Sequence, residues 1–87
     1  MKLIKVEKIK RPDSRLLGIA TIELDNGYVM HDIKIVKSDK GLTINPPIIS
    51  KDVEEMSEQE KYFTSVLNNE NSKQKMKKMI INDFKEL

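Results

Sequence analysis

Apolar and polar residues alternate at period two through the first half of the chain, then give way to a helical period at its end. The first stretch, residues 3–10, places Ile4 and Val6 on one face and Lys5, Glu7 and Ile9 on the other, as an edge strand would. Arg11-Pro12-Asp13-Ser14 ends it, because Pro12 has no N–H for a ladder and Asp and Ser favour turns. In residues 16–24, Ala20, Ile22 and Leu24 share one face, and Ile19, Thr21 and Glu23 the other. Asp25-Asn26-Gly27 follows, and Asn-Gly between two apolar runs predicts a tight hairpin, since both residues tolerate positive φ. The third strand then runs over 28–36. Val29, His31, Ile33 and Ile35 fall on one face, and Tyr28, Met30, Asp32, Lys34 and Val36 on the other. Ser38-Asp39-Lys40-Gly41 reads as a turn and Leu42-Thr43-Ile44 as a fourth strand, closed by Pro46-Pro47.

Residues 51–61 are acidic and lack an apolar period, which predicts a loop or a single turn of helix. The β-prone residues 62–67 predict a fifth strand, and Asn68-Asn69-Glu70-Asn71 a linker. Residues 72–87 are different. Met76, Met79, Ile80, Phe84 and Leu87 recur at i+3 and i+4 and cover an arc of about 140° at 100° per residue. Ser72 or Asn71 would cap this helix. Lys78 and Lys85 face away from the stripe, Lys75 and Lys77 flank it, and Asp83 falls close to it. The expectation is therefore one α+β domain over residues 1–87. It has four to five short antiparallel strands between about 3 and 67, and an amphipathic helix over about 72–87 laid on the sheet.

With 87 residues the chain can build one modest core, and without cysteine it has no disulfide or thiolate metal site to reinforce it. A homodimer is the remaining common support. The opening Met-Lys-Leu-Ile-Lys-Val-Glu-Lys, broken by charges, is not expected to act as a signal peptide, and no apolar run approaches the roughly 20 residues that span a bilayer. Together with the lack of cysteine, this leads us to expect a cytoplasmic protein without membrane insertion. Net charge is only +2 but is unevenly spread. Residues 1–15 carry +4, 16–50 carry −1, 51–70 carry −4 and 71–87 carry +3.

Few residues suggest catalysis. His31 is the only histidine, and neighbouring strand residues such as His31 and Asp32 point to opposite faces, so a shared metal or hydrolytic site is not expected. His31 is expected to be hydrogen-bonded within the sheet or at a dimer interface. Asp52, Glu54, Glu55, Glu58 and Glu60 have no nucleophile, histidine or Gly-rich loop beside them and read as a solvated loop. The strongest candidate is Lys73, Lys75, Lys77 and Lys78 at the start of the last helix, where backbone N–H groups also favour phosphate. Arg11, Arg15 and Lys51 are weaker additions. The few aromatic residues give little support for base stacking.

The run Ile19-Ala20-Thr21-Ile22-Glu23-Leu24-Asp25-Asn26-Gly27-Tyr28-Val29-Met30-His31-Asp32-Ile33-Lys34-Ile35-Val36 resembles the signature of the septation protein SpoVG family. In that family an IASITLD strand turns tightly into FVVHDIKVI. Gly41-Leu42-Thr43-Ile44 resembles the family's next strand. Asn45-Pro46-Pro47 and Ser50-Lys51 resemble its proline-containing segment, and Lys73, Lys75, Met76 and Met79-Ile80-Ile81 its final helix. The resemblance implies a small dimeric regulator of septation and sporulation that binds DNA or RNA through the lysines above, without a cofactor and without enzymatic activity. Two departures change the charge pattern. Asp52 and several glutamates follow Lys51, and Lys73 stands where the family has an arginine, keeping the charge but losing the planar fork. The alternative is a protein-interaction module of cell division or regulation, in which the acidic loop or an exposed strand edge recruits a partner.

Overall fold

The computed structural model describes residues 1–10 and 15–87. Four strands form one antiparallel sheet: β1 (Lys2–Lys8), β2 (Leu16–Glu23), β3 (Val29–Ser38) and β4 (Gly41–Asn45). Their order in the sheet is their order in the chain. A turn of 3₁₀ helix at Val53–Glu55 leads into α1 (Glu58–Asn68) and α2 (Glu70–Lys85). The α+β class expected from the pattern is what the chain adopts.

The expected hairpin forms, but as a three-residue loop, Asp25-Asn26-Gly27, in which Gly27 and not Asn26 takes positive φ. Gly27 has φ 91, its N–H donates to the Leu24 carbonyl at 2.9 Å, and the Asn26 side chain accepts from the Tyr28 N–H at 3.1 Å. Ala20, Ile22 and Leu24 are all buried, as alternation predicts.

Three register shifts correct the other face assignments. On β1, Leu3 pairs with Ile22 but Lys5 with Thr21, so Ile4 is an extra residue. Leu3, Val6 and Ile9 become the half-buried set, and Ile4 turns outward. On β2, an extra residue stands between Leu16 and Gly18. On β3, Ile22 pairs with Met30 but Ala20 with Ile33, so His31 and Asp32 together oppose one residue of β2. Asp32 takes φ 58, the left-handed conformation that Asp tolerates better than most residues. The bulge shifts the phase: Met30, Ile33 and Ile35 are buried, and His31 and Asp32 are both exposed. His31 therefore does not share the core face with Ile33 and Ile35.

The larger correction lies after β4. Residues 62–67, expected as a fifth strand, belong to α1, and among the described residues the sheet has four strands. Ser57 decides this locally. Its side chain accepts from the Glu60 N–H at 3.1 Å while the Glu60 carboxylate accepts from the Ser57 N–H at 3.0 Å. This capping box satisfies two donors that would otherwise be orphaned. Tyr62, Phe63, Val66 and Leu67 then fall on one helical face and pack against the core. The acidic stretch is thus the 3₁₀ turn and the first turn of α1, where Glu58 and Glu60 suit the positive end of the helix dipole.

The expected linker shrinks to Asn69. It ends α1 and caps α2, its side chain accepting from the Ser72 N–H at 3.1 Å, in place of Ser72 or Asn71 as cap. α2 buries Met76, Ile80, Ile81 and Phe84, while Met79 is half-buried and Leu87 exposed. The apolar stripe thus turns toward Ile81, away from Leu87. Asp83 is exposed.

α2 lies across the sheet and contacts both edge strands, β1 and β4, with α1 alongside. Its close approach depends on Gly18. A Cβ there would sit 2.6 Å from the Glu7 carbonyl oxygen and 2.7 Å from Cε1 of Phe84. The ring of Phe84 occupies the space that any side chain at position 18 would need.

Candidate nucleic-acid interface

Helical geometry sorts the lysines of α2. Residues four apart stand nearly above one another, so Lys73 and Lys77 share a flank, while Lys78 is turned by about 140° from Lys73. Lys75 is displaced by about 200° from Lys73. Lys73 borders a groove with Asn45 and Pro46, and Lys77 and Lys78 border a shallower depression beside Leu42. These three lysines thus border the two depressions beside β4. Lys75 instead lies within electrostatic reach of Asp25, at the β2–β3 turn. The Asp25 carboxyl is held below the usual carboxylate range, first by its hydrogen bond to the α-ammonium of Met1, then by the charge of that ammonium and, more weakly, by Lys75.

The remaining candidates stand apart from this row. Lys51 pairs with Glu60, at 3.2 Å to one carboxylate oxygen and 2.9 Å to the other, so its charge is neutralised within the acidic segment. Hydrogen bonds from the Ser57 N–H and the Lys51 ammonium hold the Glu60 carboxyl below its ordinary value of 4.5. Arg15 is exposed near Asp39, at 3.9 Å. Arg11 lies outside the described residues. Among the described residues, Lys73, Lys77 and Lys78 pair with no carboxylate.

Nothing in this arrangement gathers a metal site. Among the described residues, no group of three His, Cys, Asp or Glu side chains could hold an ion. His31 and Asp32 stand exposed on the bulge. No described helix is long and apolar enough to cross a membrane.

Sequence reasoning missed the groove at the end of β4, which is lined by Pro46, Ile48 and Ile49 together with Thr64 and Leu67 of α1. Reading residues 62–67 as a strand concealed that wall. The one signal in the sequence was Ser57 with Glu60 three residues later, the pattern of a capping box.

Comparison with known proteins places the chain. A relative from Lachnoclostridium phytofermentans is 34% identical over 44 residues, covering 51% of this chain and 46% of the relative. One from Phytoplasma australiense is 41% identical over 44 residues, covering 51% and 45%. One from Acholeplasma laidlawii is 40% identical over 35 residues, covering 40% and 37%. All three carry the provisional name septation protein SpoVG. The match spans about half the length of these curated relatives or less. No solved structure matches the chain. The sequence model of the SpoVG family matches residues 1–86, nearly from end to end, and the chain belongs to that family.

Proposed function

We propose that this chain is a nucleic-acid-binding regulatory protein acting in the septation processes for which its relatives are named. The observation that carries this reading is the row Lys73, Lys77 and Lys78. These three side chains border the two depressions between α2 and β4, with no carboxylate paired to them among the described residues. An unpaired row of lysines keeps its full attraction for a phosphate backbone and gains from releasing condensed counterions on binding. Lys51 is tied to Glu60 and Lys75 stands near Asp25, so both contribute less. A homodimer belongs to the same reading, because a second copy doubles the phosphate-facing surface and supports a small core. The molar mass from light scattering tests it, and a monomeric mass at micromolar concentration would remove it.

The test of binding is a salt series with labelled single- and double-stranded oligonucleotides of DNA and RNA. The wild type should weaken linearly on a log–log plot. Lys73→Glu/Lys77→Glu/Lys78→Glu should bind far more weakly, its slope smaller by about 0.7 to 0.9 for each phosphate it no longer neutralises. Lys75→Glu should change binding least. Absence of wild-type binding at low salt would end this reading, as would a triple variant that binds like the wild type while remaining folded.

A further inference from the structure

The two edges of the sheet are unlike. β1 carries Lys2, Lys5 and Lys8 and is bulged at Ile4, the devices that keep an edge strand from pairing with another chain. β4 has neither. Gly41-Leu42-Thr43-Ile44-Asn45 is uncharged and pairs with β3 in unbroken register, from Ser38 opposite Gly41 to Lys34 opposite Asn45. On its other side it pairs with no strand among the described residues. An antiparallel strand aims the N–H and C=O of alternate residues outward, so this edge presents an unused row of donors and acceptors.

The flank of α2 forms a wall beside that edge. Lys77, Lys78 and Ile81 stand near Leu42, and Lys73 stands near Asn45. At the Asn45 end, a groove of about 380 Å³ is walled by Pro46, Ile48, Ile49 and Leu67, and Lys73 is its one charged residue among those described. Ile48 is 87% exposed and leaves an aliphatic side chain open to a partner beside the bare strand edge. Among the described residues, the groove and the shallower depression near Leu42 contain no acidic residue, and both contain lysine.

We propose that the β4 edge and the facing flank of α2 form a docking trough for an extended, acidic and apolar peptide segment of another protein. The segment adds a fifth strand beside β4 through main-chain hydrogen bonds. It sets apolar side chains against Ile48, Ile49 and Leu67 and carboxylates against Lys73, Lys77 and Lys78. Charge complementarity selects the acidic partner. The row of backbone donors and acceptors selects a peptide over a phosphate chain, which has no matching ladder. The proposal thus stands apart from nucleic-acid binding, which uses the lysines but not the strand edge.

The test is fluorescence anisotropy with a labelled octapeptide alternating valine and glutamate, on the full chain. Its counterparts are a valine–lysine octapeptide and the valine–glutamate peptide N-methylated at alternate residues, which removes the ladder donors and keeps the charge. The acidic peptide should bind, and N-methylation should weaken it by about tenfold or more. Lys73→Glu/Lys77→Glu should do the same through charge. Ile48→Ser, at an exposed position that the fold does not depend on, should weaken it several-fold. An N-methylated or lysine-containing peptide that binds as tightly would overturn the proposal. So would absence of peptide binding, whether an oligonucleotide alone occupies the trough or light scattering shows a second copy holding the edge.

Discussion

At the scale of single residues, two positions govern how the sheet meets its cover. Gly18 is where the ring of Phe84 reaches the backbone of β2, with the Glu7 carbonyl of β1 on the adjoining side. Neither neighbour is a flexible chain end, since one is backbone and the other a ring buried against the core. Gly18→Ala should therefore destabilise the protein by about 1 to 3 kcal/mol through overpacking. Urea unfolding measures this, and an unchanged midpoint would contradict the packing described. Asp32 plays the second role. At φ 58 it absorbs the extra residue of the β3 bulge, and in doing so exchanges the faces of the residues before it. Met30 enters the core and His31 leaves it because of this one backbone conformation. Simple alternation could not show it, because a bulge resets the period of two without changing residue types.

At the scale of elements, the segment between β4 and α2 is settled by its caps. Tyr62 to Leu67 has strand-forming composition, yet the reciprocal bonds of Ser57 and Glu60 start a helix before it. Local hydrogen bonding of orphaned N–H groups outweighs a weak propensity, which is itself largely a matter of packing. Ser57→Ala should lower stability by about 1 kcal/mol, read from the same urea unfolding. The box also carries a pH dependence. The Glu60 carboxyl titrates below its ordinary value of 4.5, first because the Ser57 N–H and next because the Lys51 ammonium bond its ionised form. A depressed carboxyl contributes stability above the unfolded value and loses it as pH falls through the folded one. Stability should therefore decline below about pH 4.5 in part through this group, and Glu60→Gln should flatten that part of the curve in urea titrations between about pH 3 and 6. A curve unchanged by the substitution would show that the box does not persist in solution. The lysines of α2 are also sorted at this scale. Their spacing along the helix decides that Lys73 and Lys77 share a flank while Lys75 faces elsewhere.

At the scale of the whole molecule, a sheet with one face to bury receives a single long helix and a shorter companion. The buried residues of α2 meet Ala20, Ile22, Met30, Ile33, Ile35 and Ile44 in one contiguous core. A core this small has no independent part, so removing one central side chain should be felt everywhere. Ile80 is fully buried. Ile80→Ala should cost about 2 to 5 kcal/mol, a large share of what a domain of this size has. Sheet and helix signals should be lost in a single transition at a lower urea midpoint. Separate transitions would mean that the helices do not close the core of the sheet.

The division between what the chain alone determined and what needed the tertiary structure follows from the range of the interactions. Local chemistry was readable: the Asn26-Gly27 hairpin, the strand faces of Ala20, Ile22 and Leu24, and the stripe of Met76, Ile80 and Phe84 rest on turn geometry and periodicity within a few residues. The signature around His31-Asp32 carried the family in the same way, because it too is a local string of residues. What the tertiary structure alone decided depends on contacts between distant segments. The bulges at Ile4 and Asp32 answer to the register of neighbouring strands. The helical wall formed by α1 hid behind strand-like composition. The trough beside β4 combines residues 42–49, 64–68 and 73–82, which only the packing of both helices on the sheet brings together.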